Sequence, residues 1–325
     1  FTEIMWAKRT EILERWKAHE IKVAPPVVTL LMEIERTLER LERDMESAAE
    51  DIAERLPGRR SILFAHGVEV IPIKTATLPP ADHTNCYLVG DPEGEFIVVD
   101  PAVRMREDME ALATAVERHR GELKAILFTH SHGDHLADMS LLREAFDVPV
   151  WGSDYTAKSV PCQRVLTDGE TLTLGRQTWT VLITPGHHPG HVCLFSEAGL
   201  VAGDMLAGIG TILIPPHTGD MNEYLHQLER LKALKPHLVF PSHGPVVAIP
   251  DRLIDHYLSH RRARHARVLE AVRNGASQLA KIAKEAYADT PEAHPGLAVD
   301  QTLSHLRALA ADGTVCEENG TWRTN

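Results

Sequence analysis

No stretch of the 325-residue sequence approaches the ~18 consecutive apolar residues of a membrane-spanning helix. Its first residues, Phe1-Thr2-Glu3-Ile4, lack the basic-then-apolar pattern of a signal peptide. A soluble cytoplasmic protein with no membrane partner is therefore expected. Cysteine is scarce: Cys86, Cys162, Cys193 and Cys316 are scattered without any CxxC spacing, which fits reduced thiols better than a disulfide framework or a structural zinc knuckle. The Asn319-Gly320-Thr321 sequon then reads as chance. Positive charge is also short. With 34 Lys and Arg against 46 Asp and Glu the formal net charge is -12. That argues against a general polyanion binder, because nucleic-acid affinity comes largely from cations neutralising phosphates.

Histidine, in contrast, is in excess at 19 residues, and its clustering carries the argument. Thr129-His130-Ser131-His132-Gly133-Asp134-His135 follows the apolar run Ala125-Ile126-Leu127-Phe128, so a buried strand is expected to deliver these side chains onto a loop at its end. Alternation sends His130 and His132 to one side. Asp134 and His135, past the Gly133 turn, reach a second point about a metal–metal distance away (roughly 3.5–4 Å). Taken alone, the loop serves one ion or two.

The length allows one large domain with an appendage, or two domains. Residues 1 to about 55 read as helical: Glu11 to Trp16 is a short amphipathic piece, and Val28-Leu31-Ile34-Leu38-Leu41-Met45 recurs at helical spacing after Pro25-Pro26. A docking or dimerising helix fits this pattern. Ala24-Pro25-Pro26 also faintly resembles the tail of a Nudix domain, but no Nudix box is present and no such activity follows. From Ile71 the pattern turns to strands. Asn85–Val89 and Phe96–Asp100 flank a Gly90–Gly94 hairpin turn, a helix is expected over Arg106–Arg118, another over Leu136–Phe146, and strands over Val148–Trp151 and Gln177–Ile183. Strands alternating with helices, with hairpins between some, predict an α/β sandwich of mixed sheets flanked by helices.

Later strands end in polar groups out of keeping with the apolar runs before them. Val181-Leu182-Ile183 leads to His187, His188 and His191, Leu200–Gly203 leads to Asp204, and Leu238–Ser242 leads to His243. Strand, small-residue turn, then ligand is how a sheet gathers distant residues at one edge. Imidazole and carboxylate donors without thiolate suit zinc and tolerate manganese or iron. Asp100, closing a neighbouring strand, is expected to hold a ligand histidine by its free N–H, with His188 and His191 as candidates for similar work.

On these residues the sequence resembles the metallo-β-lactamase superfamily over roughly residues 65 to 325, its HxHxDH signature standing as His130, His132, Asp134 and His135. The resemblance implies an αββα sandwich and two zinc ions. His130, His132 and His187 would hold one ion, Asp134, His135 and His243 the other, and Asp204 would bridge them. The complete set with Asp204 is similar to the glyoxalase II, lactonase and RNA-processing branches rather than to zinc β-lactamases. Thr84–Gly90, Tyr257-Leu258-Ser259-His260-Arg261 and a helical C-terminal segment are similar to the lactamase-β-like endoribonucleases, whose tail is a winged helix. Asp82-His83 stand before Thr84 where that family opens with Gln-Gly. The implied organisation is a helical extension over 1–60, a hydrolase domain over 61–255 and a winged-helix-like domain over 256–325.

Two ions at such spacing lower the pKa of a shared water to about 7. The resemblance implies a bridging hydroxide, oriented by Asp134 and Asp204 as the catalytic residues, with Asp204 receiving its proton. Hydrolysis of a small ester, thioester or lactone, with promiscuous phosphoester activity, is the first expectation. Cleavage of single-stranded RNA is the alternative. A metal-holding scaffold would be expected to lack ligands or be strongly basic. Arg261, Arg262, Arg264 and Arg267 cluster on the helix after the last ligand, where a pocket wall or the surface of a homodimer is the expected role.

Overall fold

The computed structural model describes residues 7–42, 44–55 and 61–325. The first residues of the chain and the junction at residue 60 lie outside them. The N-terminal segment forms α1 (Arg9–Lys17), α2 (Pro25–Arg40) and α3 (Met45–Arg55). The helical periodicity that runs from Val28 to Met45 is broken after Leu41. Glu42 adopts a positive φ of 51° and the Asp44 carboxylate accepts from Glu46 N and Ser47 Oγ, capping a new helix. The segment docks on the body through buried Trp16, edge-on to the His66 ring, and Lys22, whose ammonium donates to the carbonyls of His237 and Ala248 at 2.7 and 2.8 Å.

The body is two stacked sheets. The first contains β1 (Ile62–Ala65), β2 (Val68–Lys74), β3 (His83–Gly90), β4 (Glu95–Val99), then, after α4 (Arg106–Arg118), β5 (Glu122–Leu127), and after α5 (Met139–Ala145), β6 (Val150–Gly152) and β7 (Arg164–Val165). It is antiparallel up to β4 and parallel beyond. The second contains β8 (Thr171–Leu174), β9 (Gln177–Ile183), β10 (Val192–Ser196), β11 (Gly199–Gly203) and, after α6 (Met221–Ala233), β12 (Val239–Pro241), which pairs parallel with β11 at the sheet edge.

The near-continuous apolar runs follow from burial on both faces. In β4, Ile97 and Val99 enter the layer between the sheets while Phe96 and Val98 enter the layer under α4 and α5. In β10, Val192 and Leu194 face the first sheet and Cys193 faces α6. Helices α4 and α5 cover one sheet and α6 the other, giving the αββα order expected of the mixed pattern. Helix α4 and strand β9 occupy the predicted spans. Helix α5 starts at Met139 rather than Leu136, because Asp138 is its N-cap, accepting from Ser140 N and Leu141 N, and the residues before it are spent on the histidine loop.

Past the sheets run α7 (Pro250–Arg273), α8 (Leu279–Ala286), α9 (Pro295–Ala311) and the hairpin β13 (Val315–Glu318) and β14 (Thr321–Thr324). Helix α7 is shared: Ile254 and Tyr257 pack with α6, while Val268 and Val272 join Ile282, Leu306 and Trp322 in a C-terminal core. Two of its four clustered arginines are buried. Arg261 and Arg264 are only 2% and 5% exposed, so neither can form a dimer surface; they hydrogen-bond internally, and Arg262 and Arg267 pair with Glu229 and Asp289.

Between the sheets, Trp179 is fully buried with its indole N–H donating to Gln177 Oε1 at 3.1 Å, and the Tyr87 hydroxyl donates across the layer to the Pro241 carbonyl at 2.7 Å. Trp179→Ala empties the largest volume in that layer and should cost about 3–5 kcal/mol. A urea denaturation midpoint clearly below the parent's is expected, and an unchanged midpoint would show that the two sheets do not depend on this side chain.

Candidate metal centre

The candidate residues all arrive at one edge of the sandwich. Asp100 follows β4, His130–His135 follow β5, His187 lies in the β9–β10 turn, Asp204 follows β11 and His243 follows β12. Chain reversal at Asp204 requires glycine just before it. Gly203 has φ 51°, and a Cβ there would stand 2.4 Å from His191 Nε2, the atom that accepts the Asp204 backbone N–H at 2.9 Å.

The side chains form two groups, His130, His132, His187 and Asp204, and Asp134, His135 and His243, the donor atoms of each lying within 4.8 Å of one another. In the first, His132 Nδ1 is 2.9 Å from both His130 Nε2 and His187 Nε2. Asp204 turns one oxygen to each group: Oδ2 is 3.4 Å from His187 Nε2, while Oδ1 is 3.5 Å from His135 Nε2 and 3.3 Å from His243 Nε2. Asp134 Oδ2 lies 3.5 Å from His243 Nε2.

Groups behind the rings fix their tautomers. His187 Nδ1 and His243 Nδ1 face the Leu213 and His83 carbonyls at 2.7 and 2.9 Å, which only accept, so each Nδ1 carries a hydrogen and Nε2 is the nitrogen that, in the neutral ring, presents a lone pair to the centre. His135 Nδ1 is held by the Asp100 carboxylate at 2.8 Å. Asp100, buried and at φ 46°, also accepts from Thr129 N and Thr129 Oγ1, and that hydroxyl is 3.1 Å from His130 Nδ1. One carboxylate thus braces the loop and a ring of each group.

Electrostatics distinguish the groups. Burial pushes His130 and His187 below the usual histidine range and, with His187 beside it, takes His132 down to about 4. These three are neutral, with lone pairs crowded together. Burial also opposes charge on His135 and His243, yet Asp204, aided at His135 by Asp100, outweighs it and raises both. Burial would raise Asp204, but His135 and His243 hold it well below the carboxylate range.

This donor set fits metal ions. Asp204 Oδ1 and His135 Nε2 are buried without a hydrogen-bond partner, a cost that a cation between them removes. Zinc–nitrogen bonds of about 2.0–2.1 Å imply donor separations of about 3.3 Å in a tetrahedron, and the spacings of 2.9 to 3.5 Å straddle that value.

His188 and His191 stand behind the centre. His191 bridges Thr184 Oγ1 and the Asp204 N–H, and His188 Nε2 meets Ser131 Oγ at 3.1 Å; burial pushes the pKa of His188 down to about 3. Several supports carried no recognisable signal of this role. Thr84 Oγ1 donates to the Asp134 carbonyl, and the Asn85 amide donates to the carbonyls of Pro241 and Gly244 around His243. Thr84 and Asn85 stand out only as part of a strand motif, and the carbonyls of Leu213 and His83 belong to no residue-type pattern.

Above the centre opens a cleft of about 500 Å³. Leu78, Pro79, Pro80, Ile209 and Ile212 form much of its wall, and Arg104, exposed at the rim and bonded to the Gly133 carbonyl, is its one lysine or arginine among the described residues.

The chain is similar to several known proteins. A beta-lactamase-like protein 2 homolog of Caenorhabditis elegans is 26% identical over 71% of this chain and 80% of its own length. A hydroxyacylglutathione hydrolase of Yersinia pestis is 34% identical over 42% of this chain and 53% of its own, and an atrochrysone carboxyl ACP thioesterase of Aspergillus fumigatus is 25% identical over 59% and 60%. The fold is that of a beta-lactamase domain protein from Burkholderia ambifaria, with a TM-score of 0.71 at 23% identity over 84% of this chain and 96% of that one. The model of the metallo-beta-lactamase superfamily matches residues 79–243, half the chain including every candidate ligand, and the chain belongs to that superfamily.

Proposed function

We propose that this superfamily hydrolase holds two divalent ions, zinc in preference to manganese or iron, and cleaves a small ester, thioester or lactone. The observation that carries this reading is the split of Asp204, one oxygen toward each group of donors. His130, His132 and His187 would hold one ion, Asp134, His135 and His243 the other, with Asp204 shared. Such ions supply, when bound, polarisation of an acyl oxygen and acidification of water to a pKa of about 7.

The chain's own groups divide the remaining work. With both ions bound, Asp204 would be engaged through both oxygens and would serve to hold and align. Asp134, whose side chain is 20% exposed toward the cleft against 8% for Asp204, would, besides its part in holding an ion, take a proton from attacking water and return it to the leaving thiolate or alkoxide as the acyl bond breaks. The apolar wall suits an acyl chain. In this reading residues 1–60 are a helical extension, 61–255 the hydrolase domain and 256–325 a winged-helix-like tail that supports the hydrolase rather than reading nucleic acid.

The names of two relatives, a thioesterase and a hydroxyacylglutathione hydrolase, support acyl cleavage. RNA cleavage is the weaker reading. Phosphate binding draws on several cations, whereas one arginine lines the cleft among the described residues and the tail's clustered arginines are engaged internally or with acids.

A panel of thioesters, lactones and a fluorescent single-stranded RNA, assayed with and without a chelator, tests the assignment. Turnover of an acyl substrate that the chelator abolishes and zinc restores is expected; turnover of RNA alone would reverse the ranking. Asp134→Ala should lower kcat/KM by about 10²–10⁴-fold with the fold intact by circular dichroism, and an unimpaired variant would sink the proton-transfer role. Arg104→Ala should raise KM several-fold for a carboxylate-bearing thioester and leave a neutral one unchanged. Equal effects on the two would show that Arg104 does not contact the substrate carboxylate.

A further inference from the structure

The segment from Thr211 to Pro215 forms one wall of the cleft and belongs to no helix or strand, so its backbone polar groups must find partners elsewhere. They find them in the C-terminal helices, far away in sequence. The Ile212 carbonyl accepts from the Arg261 guanidinium on α7. Ile214 is gripped from both sides by Gln301 on α9: its N–H donates to Gln301 Oε1 at 3.3 Å, and its carbonyl accepts from Gln301 Nε2 at 2.8 Å and from Ser304 Oγ at 2.7 Å. Arg261 Nη1 in turn donates to Gln301 Oε1 at 2.8 Å, tying the two helices into one support.

Between these two held residues lies Leu213, whose carbonyl accepts from His187 Nδ1 at 2.7 Å. We propose that Arg261 and Gln301 are positioning residues for His187, fixing the Leu213 carbonyl and with it the direction in which His187 Nε2 presents its lone pair. This rests on the reading above, in which His187 holds an ion.

The physical argument is one of alternatives. A carbonyl on a free loop would be solvated and mobile, and the ring it orients would rotate. Here the flanking residues are bonded to side chains that are themselves buried, Arg261 at 2%, Gln301 at 7% and Ser304 at 5% exposure. Those groups have no water to fall back on, so the arrangement is rigid, and loss of one partner leaves another unsatisfied. Outer hydrogen bonds to ligand histidines are worth about 10–100-fold in metal affinity. A tail that merely packed against the body would carry no such coupling to a single ion.

The test is a zinc titration of the metal-free full chain against a chelating dye, which resolves the two affinities. Gln301→Glu keeps the acceptor used by Arg261 and by Ile214 N–H and turns the donor to the Ile214 carbonyl into a carboxylate oxygen, which repels that carbonyl. Arg261→Lys keeps the charge but cannot reach Gln301 and Ile212 together. Each should weaken one zinc site about tenfold and leave the other within twofold, the second site serving as the internal control for folding. Arg262→Ala, which removes only the neighbouring contact with Glu229, should leave both sites unchanged. Equal weakening of both sites, or weakening of neither, overturns the proposal. His187→Ala separates the two levels: if it leaves both affinities unchanged, the reading of His187 as a ligand fails, whereas loss of one site there with no effect of Gln301→Glu and Arg261→Lys refutes the positioning role alone.

Discussion

The buried carboxylate of Asp204 is the constraint on which the rest of the site depends. A carboxylate taken from water without compensation is costly, and this one is held ionised by His135 and His243 while its other oxygen faces His187. The surrounding architecture answers that demand. Five strand ends are brought to one edge, three rings are kept neutral with lone pairs inward, and two others are held where positive charge is favoured. Each outer nitrogen contact that aligns a ring comes from a different part of the chain, so the geometry of the centre depends on the closed sandwich and not on the HxHxDH loop by itself.

Much of this was legible in the residues because chemistry and periodicity coincided. Apolar runs ending in a histidine or aspartate announced both a strand and what it delivers, and the spans of α4 and β9 followed from spacing alone. Asp100 stood out as a carboxylate closing a strand, and it does brace His135. What stayed hidden has a common physical cause: it lies in backbone groups and in contacts between distant segments. The Leu213 and His83 carbonyls have no side-chain signature, and neither does the left-handed backbone of Glu42 that follows α2, ahead of the Asp44 cap that opens α3. Arginines clustered on α7 read as a pocket wall or a dimer surface because charge usually is solvated. Two of them instead fill internal carbonyl-rich niches, where a guanidinium's several donors can be used at once.

The tail thereby changes meaning. Its first helix packs with the second sheet, its last grips a wall of the cleft, and the hairpin closes a small core of its own. A helical tail serves this body by supplying polar side chains to a loop that has no ladder partner. The apolar wall, the rim arginine and the metal-fitting floor then belong to one compartment, built jointly by the sandwich and the segment that follows it.

Metal content of the purified chain tests the central claim most directly. After reconstitution with zinc and removal of free ion, elemental analysis should find about two equivalents per chain in the parent and a clear loss in Asp204→Asn, whose neutral amide leaves neither ion its shared oxygen anion. A parent that saturates at a single equivalent, or an Asp204→Asn variant that retains the parent's full content, would contradict a bridged two-ion centre.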